Sequence, residues 1–309
     1  MAILVLSNPL PSAPFAAALR QAAHGIPVWT EQDDPPPEAV EAILAWRLKS
    51  GTLSQYPNLR VLCSTGAGAD KLLGVDDLPE HVPVTRVVDP MQGMEIAQYV
   101  VANTLRFTRD MALYAEQQSR AKWERHRVRT AAQCRVGVMG LGAVGQAIAR
   151  AFLPLGYPVG GWSRNPRVVP GVATFAGHEE LPQFLSQADI LVCALPLTEE
   201  TRGLLNHHTL AQLPRGAFLI NVGRGEQLIE PDLQALLDGG YLAGAALDVF
   251  EREPPPPDNW VWSHPKVVAT PHIAAQASFD TVAQQCVDAL RRARDGLPQP
   301  LAVDRHAGY

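Results

Sequence analysis

No stretch of this sequence approaches the roughly 20 consecutive apolar residues of a membrane-spanning helix, so none is expected. The opening MAILVLSNP lacks a basic n-region and a long apolar core, and reads as a first strand, not a secretion signal. Cysteine is scarce. The four present (Cys63, Cys134, Cys193 and Cys286) are far apart and show no metal-ligand spacing, which argues against a disulfide scaffold and against a metal site. Reduced, mostly buried thiols in a cytoplasmic protein are the expectation. Charge is sparse at 18% of residues, and the net value of −5 argues against nucleic acid as a partner. No repeat of roughly 20–50 residues and no low-complexity tail is visible. What remains is a 309-residue chain with 47% hydrophobic residues, enough for one large or two ordinary globular domains.

The chain is organised around residues 135–156, RVGVMGLGAVGQAIARAFLPLG. Residues 135–139 read as a buried strand. Gly140, Gly142 and Gly145, with Ala143 and Val144 between the last two, supply G-x-G-x-x-G. From Ala143 the apolar residues (Val144, Ala147, Ile148, Ala151, Phe152, Leu155) recur at helical spacing, closed by Gly156. Strand, glycine turn and helix follow in the order a dinucleotide site requires. The glycines permit a sharp turn and close approach of a pyrophosphate, whose charge the helix N-terminus favours.

Before this module, short apolar runs at 2–6, 26–29, 42–46 and 60–64 read as strands, with helical pieces at 14–23 and 53–56. Such alternation predicts a parallel sheet covered by helices. STGAGAD at 64–70 follows a strand directly, and its exposed backbone N–H groups suit a carboxylate as well as an ordinary strand-to-helix turn. Residues 93–118 read as one long helix. A basic run follows, with Arg120, Lys122, Arg125, Arg127 and Arg129 around Trp123, and suits a solvated arm. A final helix is expected at 275–294. The predicted domains are 1–101 with 275–309, and 102–274, joined by two crossings with a cleft between them.

The second strand of the module, 159–162, ends in Ser163, Arg164 and Asn165, with Arg167 just beyond. An NAD-selective site usually carries Asp or Glu here, about 20 residues after the glycine turn, to bond the ribose 2′-OH. This chain has neither. A hydroxyl and guanidinium groups suit a 2′-phosphate, so NADPH is expected as the preferred cofactor, with NADH possible.

Four later apolar runs, at 190–195, 217–222, 242–247 and 267–270, read as parallel strands. Ligands in such sheets bind at the carboxyl ends of strands. Arg224, Asp248, Glu253 and His272 each follow one of these runs and are expected on the edge that carries the glycine turn. An always-charged arginine suits the carboxylate of a 2-oxo acid and polarises its carbonyl. A histidine delivers a proton to that oxygen while nicotinamide delivers hydride. A neighbouring glutamate stabilises the imidazolium, and Asp248 is placed to orient the nicotinamide carboxamide. The prolines at 254–257 stiffen the loop after Glu253.

With these residues in view, the chain resembles the D-isomer-specific 2-hydroxyacid dehydrogenases almost end to end. The resemblance is carried by STGAGAD at 64–70, GLGAVGQAIA at 140–149, LPLTEETRGLL at 195–205, NVGRGE at 221–226, ALDVFEREP at 246–254 and PHIAA at 271–275. It implies a Rossmann-type dinucleotide-binding domain and a flavodoxin-like substrate domain formed by both chain ends. It implies catalysis by Arg224, Glu253 and His272, with the substrate carboxylate held by the loop at Ala67 and Gly68. Leu195, Pro196, Thr201, Val222, Gly223, Arg224, Asp248, His272 and Ala274 join the glycine turn as implied cofactor contacts. WSRNPR at 162–167, Trp46 and the C-terminal VDRHAGY are similar to the glyoxylate/hydroxypyruvate reductase A branch. That branch implies NADPH-linked reduction of glyoxylate and hydroxypyruvate by an oxidoreductase, Trp46 as a substrate contact, and a homodimer built on the dinucleotide-binding domain. Ala143 departs from the family, where a long side chain is common. The alternatives are reduction of a bulkier 2-oxo acid such as phenylpyruvate, oxidation of formate or phosphite in the same fold, which the NADPH-type signature disfavours, and a non-catalytic dinucleotide sensor acting through protein partners.

Overall fold

In the computed structural model, residues 2–305 are described, so Met1 and the last four residues of VDRHAGY lie outside the description. The chain divides into two compact units, Met1–Met91 with Gln276–Tyr309, and Gln92–Ala275.

The first unit runs β1 (Ala2–Leu6), α1 (Ser12–Ala22), β2 (Val28–Thr30), β3 (Val40–Ala45), β4 (Val61–Ser64), α2 (Asp70–Leu73) and β5 (Val84–Thr85). Its five strands are all parallel in the order β2-β1-β3-β4-β5, the flavodoxin-like arrangement. Alternate residues serve opposite faces, as the two-residue strand period dictates. Ile3, Val5, Ala42, Leu44, Val61 and Cys63 pack with α1 residues such as Phe15 and Leu19. Leu4, Ile43, Ala45 and Leu62 point the other way, against Leu53 and Leu72. The helix expected at 53–56 is a single 3₁₀ turn, Leu53–Gln55.

The second unit runs α3 (Gln92–Thr108), α4 (Met111–Ser119), β6 (Val136–Met139), α5 (Ala143–Phe152), β7 (Val159–Ser163), β8 (Ala173–Ala176), α6 (Gly177–Leu185), β9 (Ile190–Cys193), α7 (His207–Leu210), β10 (Phe218–Asn221), α8 (Glu230–Asp238), β11 (Gly244–Leu247) and β12 (Val267–Ala269). Its parallel seven-stranded sheet has the order β12-β11-β10-β9-β6-β7-β8, a doubly wound Rossmann order with one added strand. Here too the faces alternate. Val136, Val138, Ile190, Val192, Phe218 and Ile220 pack with Ala97 and Val100 of α3 and Ile148 and Phe152 of α5. Met139, Leu191, Cys193, Leu219 and Leu247 pack with Leu181, Phe184, Leu233 and Leu237 from α6 and α8. A sheet covered on both faces explains why its strands read as unbroken apolar runs.

Three sequence expectations need correction. The single helix over 93–118 is two helices, because Asp110 adopts a left-handed backbone (φ 51°) between α3 and α4, a conformation Asp tolerates better than most residues. The boundary expected at 101/102 falls inside α3, which lies whole in the second unit and packs on α5. The last helix, α9 (Phe279–Arg294), starts four residues late, where the Ser278 hydroxyl accepts the Thr281 N–H at 3.1 Å as an N-cap. α9 returns to the first unit and packs on α1, burying Val282, Cys286, Val287 and Leu290. All four cysteines are free and buried. No helix among the described residues is long and apolar enough to cross a membrane.

Candidate active site

The glycine turn connects β6 to α5 as its sequence implies. Gly140 has φ 95°, where a side chain is strained, and its N–H donates to the Trp162 carbonyl at 2.7 Å. At Gly145 a Cβ would stand 1.6 Å from the Gly140 carbonyl oxygen, so only glycine lets the helix start this close to the strand end. Gly142 differs. It is exposed, a Cβ there would meet nothing within 4 Å, and no side chain caps α5. The open space and the uncapped N–H groups of Ala143, Val144 and Gly145 fit a pyrophosphate.

At the end of β7, Ser163 is buried and donates its hydroxyl proton to the Asn165 carbonyl at 2.8 Å. That bond closes the turn that carries Arg164. Arg164 is exposed and lies 3.4 Å from the Glu200 carboxylate. After β9, the Thr201 hydroxyl donates to the Pro196 carbonyl at 2.7 Å and accepts the Thr198 N–H at 2.8 Å, closing a compact loop.

After β10, a buried amide organises the chain. Gln227, which no local signal marks beyond its spacing in NVGRGEQ, is fully buried. Its Nε2 donates to the Leu195 and Pro196 carbonyls, both at 3.0 Å, and its Oε1 accepts the Arg224 N–H at 2.8 Å. It thereby ties the loop after β9 to the one after β10. Asn221 accepts the Gly223 N–H (3.1 Å) and donates to the Arg224 carbonyl (3.1 Å), while the Val222 N–H donates to Cys193. Arg224 Nη1 donates to the Gly223 carbonyl at 2.8 Å. The guanidinium is thus carried on a backbone held from both sides.

His272 stands after β12 with φ 56°, a left-handed backbone. Its N–H donates to the carbonyls of Asp248 (2.9 Å) and Thr270 (3.0 Å). Its Nδ1 lies 3.0 Å from Glu253 Oε1, which also accepts the Phe250 N–H at 3.2 Å. An ionised carboxylate can only accept, so Nδ1 carries the proton and Nε2 is the atom left to exchange one. The side chains of His272 and Glu253 are 26% and 16% exposed, so the ring is reachable while its partner is mostly covered.

Asp248, expected to orient a carboxamide, is 1% exposed. Its Oδ1 accepts from the Thr270 hydroxyl (2.6 Å) and the Ile273 N–H (2.9 Å), and its Oδ2 from the Ala274 N–H (2.8 Å). It is a brace for the His272 turn, and the buried Ala274 is one end of that brace. In the first unit, Trp46 follows β3 and lies against the loop after β4: a Cβ on Gly66 would be 2.9 Å from its ring. The Lys71 ammonium sits 5.3 Å from the same ring's centre. Ala67 and Gly68 are half-buried in that loop, which the Ser64 hydroxyl closes by donating to the Gly68 carbonyl at 2.7 Å. Trp123 is 92% exposed in the irregular basic segment after α4. No cluster of three or more metal-ligating side chains occurs among the described residues.

A doubly wound sheet with this glycine turn, and a paired histidine and glutamate in the same unit, defines the class of Rossmann-type dinucleotide-dependent enzymes. The family model for the D-isomer specific 2-hydroxyacid dehydrogenase NAD-binding domain matches residues 101–274. This chain belongs to the D-isomer specific 2-hydroxyacid dehydrogenase family. It is 34% identical over 286 residues to glyoxylate/hydroxypyruvate reductase A of Yersinia enterocolitica, covering 91% of this chain and 90% of that one. A D-isomer specific 2-hydroxyacid dehydrogenase of Xanthobacter autotrophicus Py2, solved with NADPH and MES, is 41% identical with a TM-score of 0.90, over 100% of this chain and 99% of that one. The NADPH-dependent glyoxylate/hydroxypyruvate reductase of Sinorhizobium meliloti, solved with NADP and sulfate, is 34% identical with a TM-score of 0.92 over the whole of both chains.

Proposed function

We propose that this protein reduces glyoxylate and hydroxypyruvate to the corresponding 2-hydroxy acids with NADPH, and that His272 donates the proton. The carrying observation is the His272–Glu253 pair at 3.0 Å, on a chain whose relatives bear that activity in their names. A reduced dinucleotide, held by its pyrophosphate at the glycine turn, would supply the hydride that the substrate's carbonyl carbon takes. Gly140, Gly142, Ala143, Val144 and Gly145 would hold the pyrophosphate, with Leu195, Pro196, Thr201, Val222 and Gly223 along the neighbouring strand ends. Arg224 binds the substrate carboxylate and draws electron density toward the carbonyl oxygen. His272 Nε2 gives that oxygen its proton, and Glu253 fixes the ring's tautomer and balances the imidazolium charge. Within the first unit, the loop at Ala67 and Gly68 would offer backbone N–H groups to a carboxylate, with the Trp46 ring beside that loop as a further contact.

The test is initial rate by nicotinamide absorbance for glyoxylate, hydroxypyruvate, pyruvate and phenylpyruvate, each with NADPH and NADH. Fast NADPH oxidation with the first two supports the reading; turnover of phenylpyruvate alone replaces the substrate, and no turnover with intact NADPH binding turns the reading toward a sensor.

NADPH preference rests on Arg164, since the end of β7 offers no acidic residue to a ribose 2′-hydroxyl. Glu200 pairs with the guanidinium at 3.4 Å, and a phosphate is the stronger partner for it. Arg164→Ala is expected to weaken NADPH binding by about 10- to 100-fold and NADH binding by less than about twofold. Fluorescence titration measures both, and equal losses would remove Arg164 from selectivity. A cytoplasmic homodimer joined through the second unit is the assembly we propose, with the exposed Trp123 arm on its interface. A sedimentation mass of one chain at micromolar concentration would contradict it.

A further inference from the structure

The His272 turn is braced from a helix far away in sequence, and the brace has a direction. Asp248 accepts the N–H groups of both residues that follow His272, and its own carbonyl accepts the N–H of His272. The third donor to its carboxylate is the Thr270 hydroxyl at 2.6 Å. A threonine hydroxyl has one proton. With that proton on Asp248, the Thr270 oxygen can only accept from its next neighbour, the Tyr99 hydroxyl, 2.7 Å away. The order of donation is therefore fixed: Tyr99 to Thr270, Thr270 to Asp248. Tyr99 belongs to the seventeen-residue α3, and the Asn103 amide ties its carbonyl at 3.0 Å. Burial, with the negative charge of Asp248, pushes the Tyr99 phenol up to about 12, which keeps it a donor.

We propose that Tyr99 is a positioning residue for His272, acting through Thr270 and Asp248 to hold the left-handed turn that presents the imidazole. This rests on the reading of His272 as the proton donor. A left-handed backbone at a residue other than glycine persists only when its surroundings enforce it. Three of the four hydrogen-bonding groups that enforce it here converge on one buried carboxylate. The Tyr99 hydroxyl fixes the rotor of the one donor to that carboxylate that is free to turn. A Thr270 hydroxyl released from Tyr99 rotates, and the carboxylate and the amides it holds loosen with it.

Tyr99→Phe keeps the ring and removes the oxygen. It is expected to lower kcat by about 3- to 10-fold, with KM and NADPH affinity within about twofold. Thr270→Val is expected to cost about 10- to 100-fold in kcat, since it strips a bond to a charged group, and Thr270→Ser to recover most of that loss. In the double variant Tyr99→Phe/Thr270→Val, the loss should equal that of Thr270→Val alone, because the two residues act in series. Amide hydrogen exchange across residues 270–275 should be faster in Tyr99→Phe than in the parent, without any substrate present. Unchanged kcat and unchanged exchange in Tyr99→Phe, additive losses in the double variant, or no recovery by serine would each overturn the proposal. His272→Gln is run beside them. Full turnover in that variant strikes the His272 reading itself, whereas an inactive His272→Gln with an unaltered Tyr99→Phe strikes only the positioning role.

Discussion

His272→Gln is expected to lower kcat by about three orders of magnitude while leaving the affinity for NADPH within about twofold. Glutamine fills a similar volume and can still bond Glu253, but it has no proton to give at neutral pH. The cofactor contacts proposed above, on the glycine turn, at Arg164 after β7 and at the ends of β9 and β10, keep their residues in this variant, so binding survives where chemistry does not. Backbone strain is the competing source of damage, because residue 272 has φ 56°. His272→Asn separates the two effects, since Asn accepts the left-handed conformation more readily than most residues. Both variants should be equally slow in stopped-flow single turnovers. A fast His272→Asn with a slow His272→Gln would show that the turn, and not the imidazole, sets the rate. Glu253→Gln keeps a partner for Nδ1 but removes the charge opposite the imidazolium, and an intermediate loss is expected from it in the same assay.

Much of this was legible because it is local. Strand, glycine turn and helix at 135–156 announce themselves through spacing, and the apolar runs of β9, β10 and β11 are continuous because helices cover both faces of their sheet. β8 was not legible: its residues are exposed or half-buried at a sheet edge, so they carry no apolar signature, and pairing with β7 holds it. The break between α3 and α4 depends on one Asp in a left-handed conformation inside an otherwise helical pattern. The roles of Asp248 and Tyr99 were hidden for a different reason. Position in sequence put Asp248 at a strand end facing the cofactor edge, whereas its three donors come from residues 270, 273 and 274 and draw the carboxylate inward. Tyr99 reads as one more apolar residue of a helix, and its partner lies 171 residues on. Buried polar networks of this kind belong to the folded chain, and no window of sequence contains them.

Arg224→Ala is the other large effect expected, a fall in kcat/KM of about 10³- to 10⁴-fold, shared between the two constants. A residue that only gathered the substrate would raise KM and leave kcat alone. Arg224 is proposed to do more, since charge builds on the carbonyl oxygen as the hydride arrives, and a fixed cation there stabilises the transition state beyond the ground state. The scaffold supports that precision. The Arg224 backbone N–H is held by Gln227, its carbonyl by Asn221, and its side chain by the Gly223 carbonyl, all within 3.1 Å. Alanine keeps both backbone anchors, so the fold of the loop should survive and the loss should be chemical. Arg224→Lys is expected to recover little, because an ammonium cannot make the planar, two-pronged contact with a carboxylate and cannot reproduce the anchor to Gly223 in the same pose. Added guanidinium at tens of millimolar, well below denaturing levels, should raise the rate of Arg224→Ala more than that of Arg224→Lys, whose side chain still fills the space. Wild-type kcat in Arg224→Ala at saturating substrate would confine the residue to binding, and failure of guanidinium to discriminate the two variants would count against the geometry assigned to it.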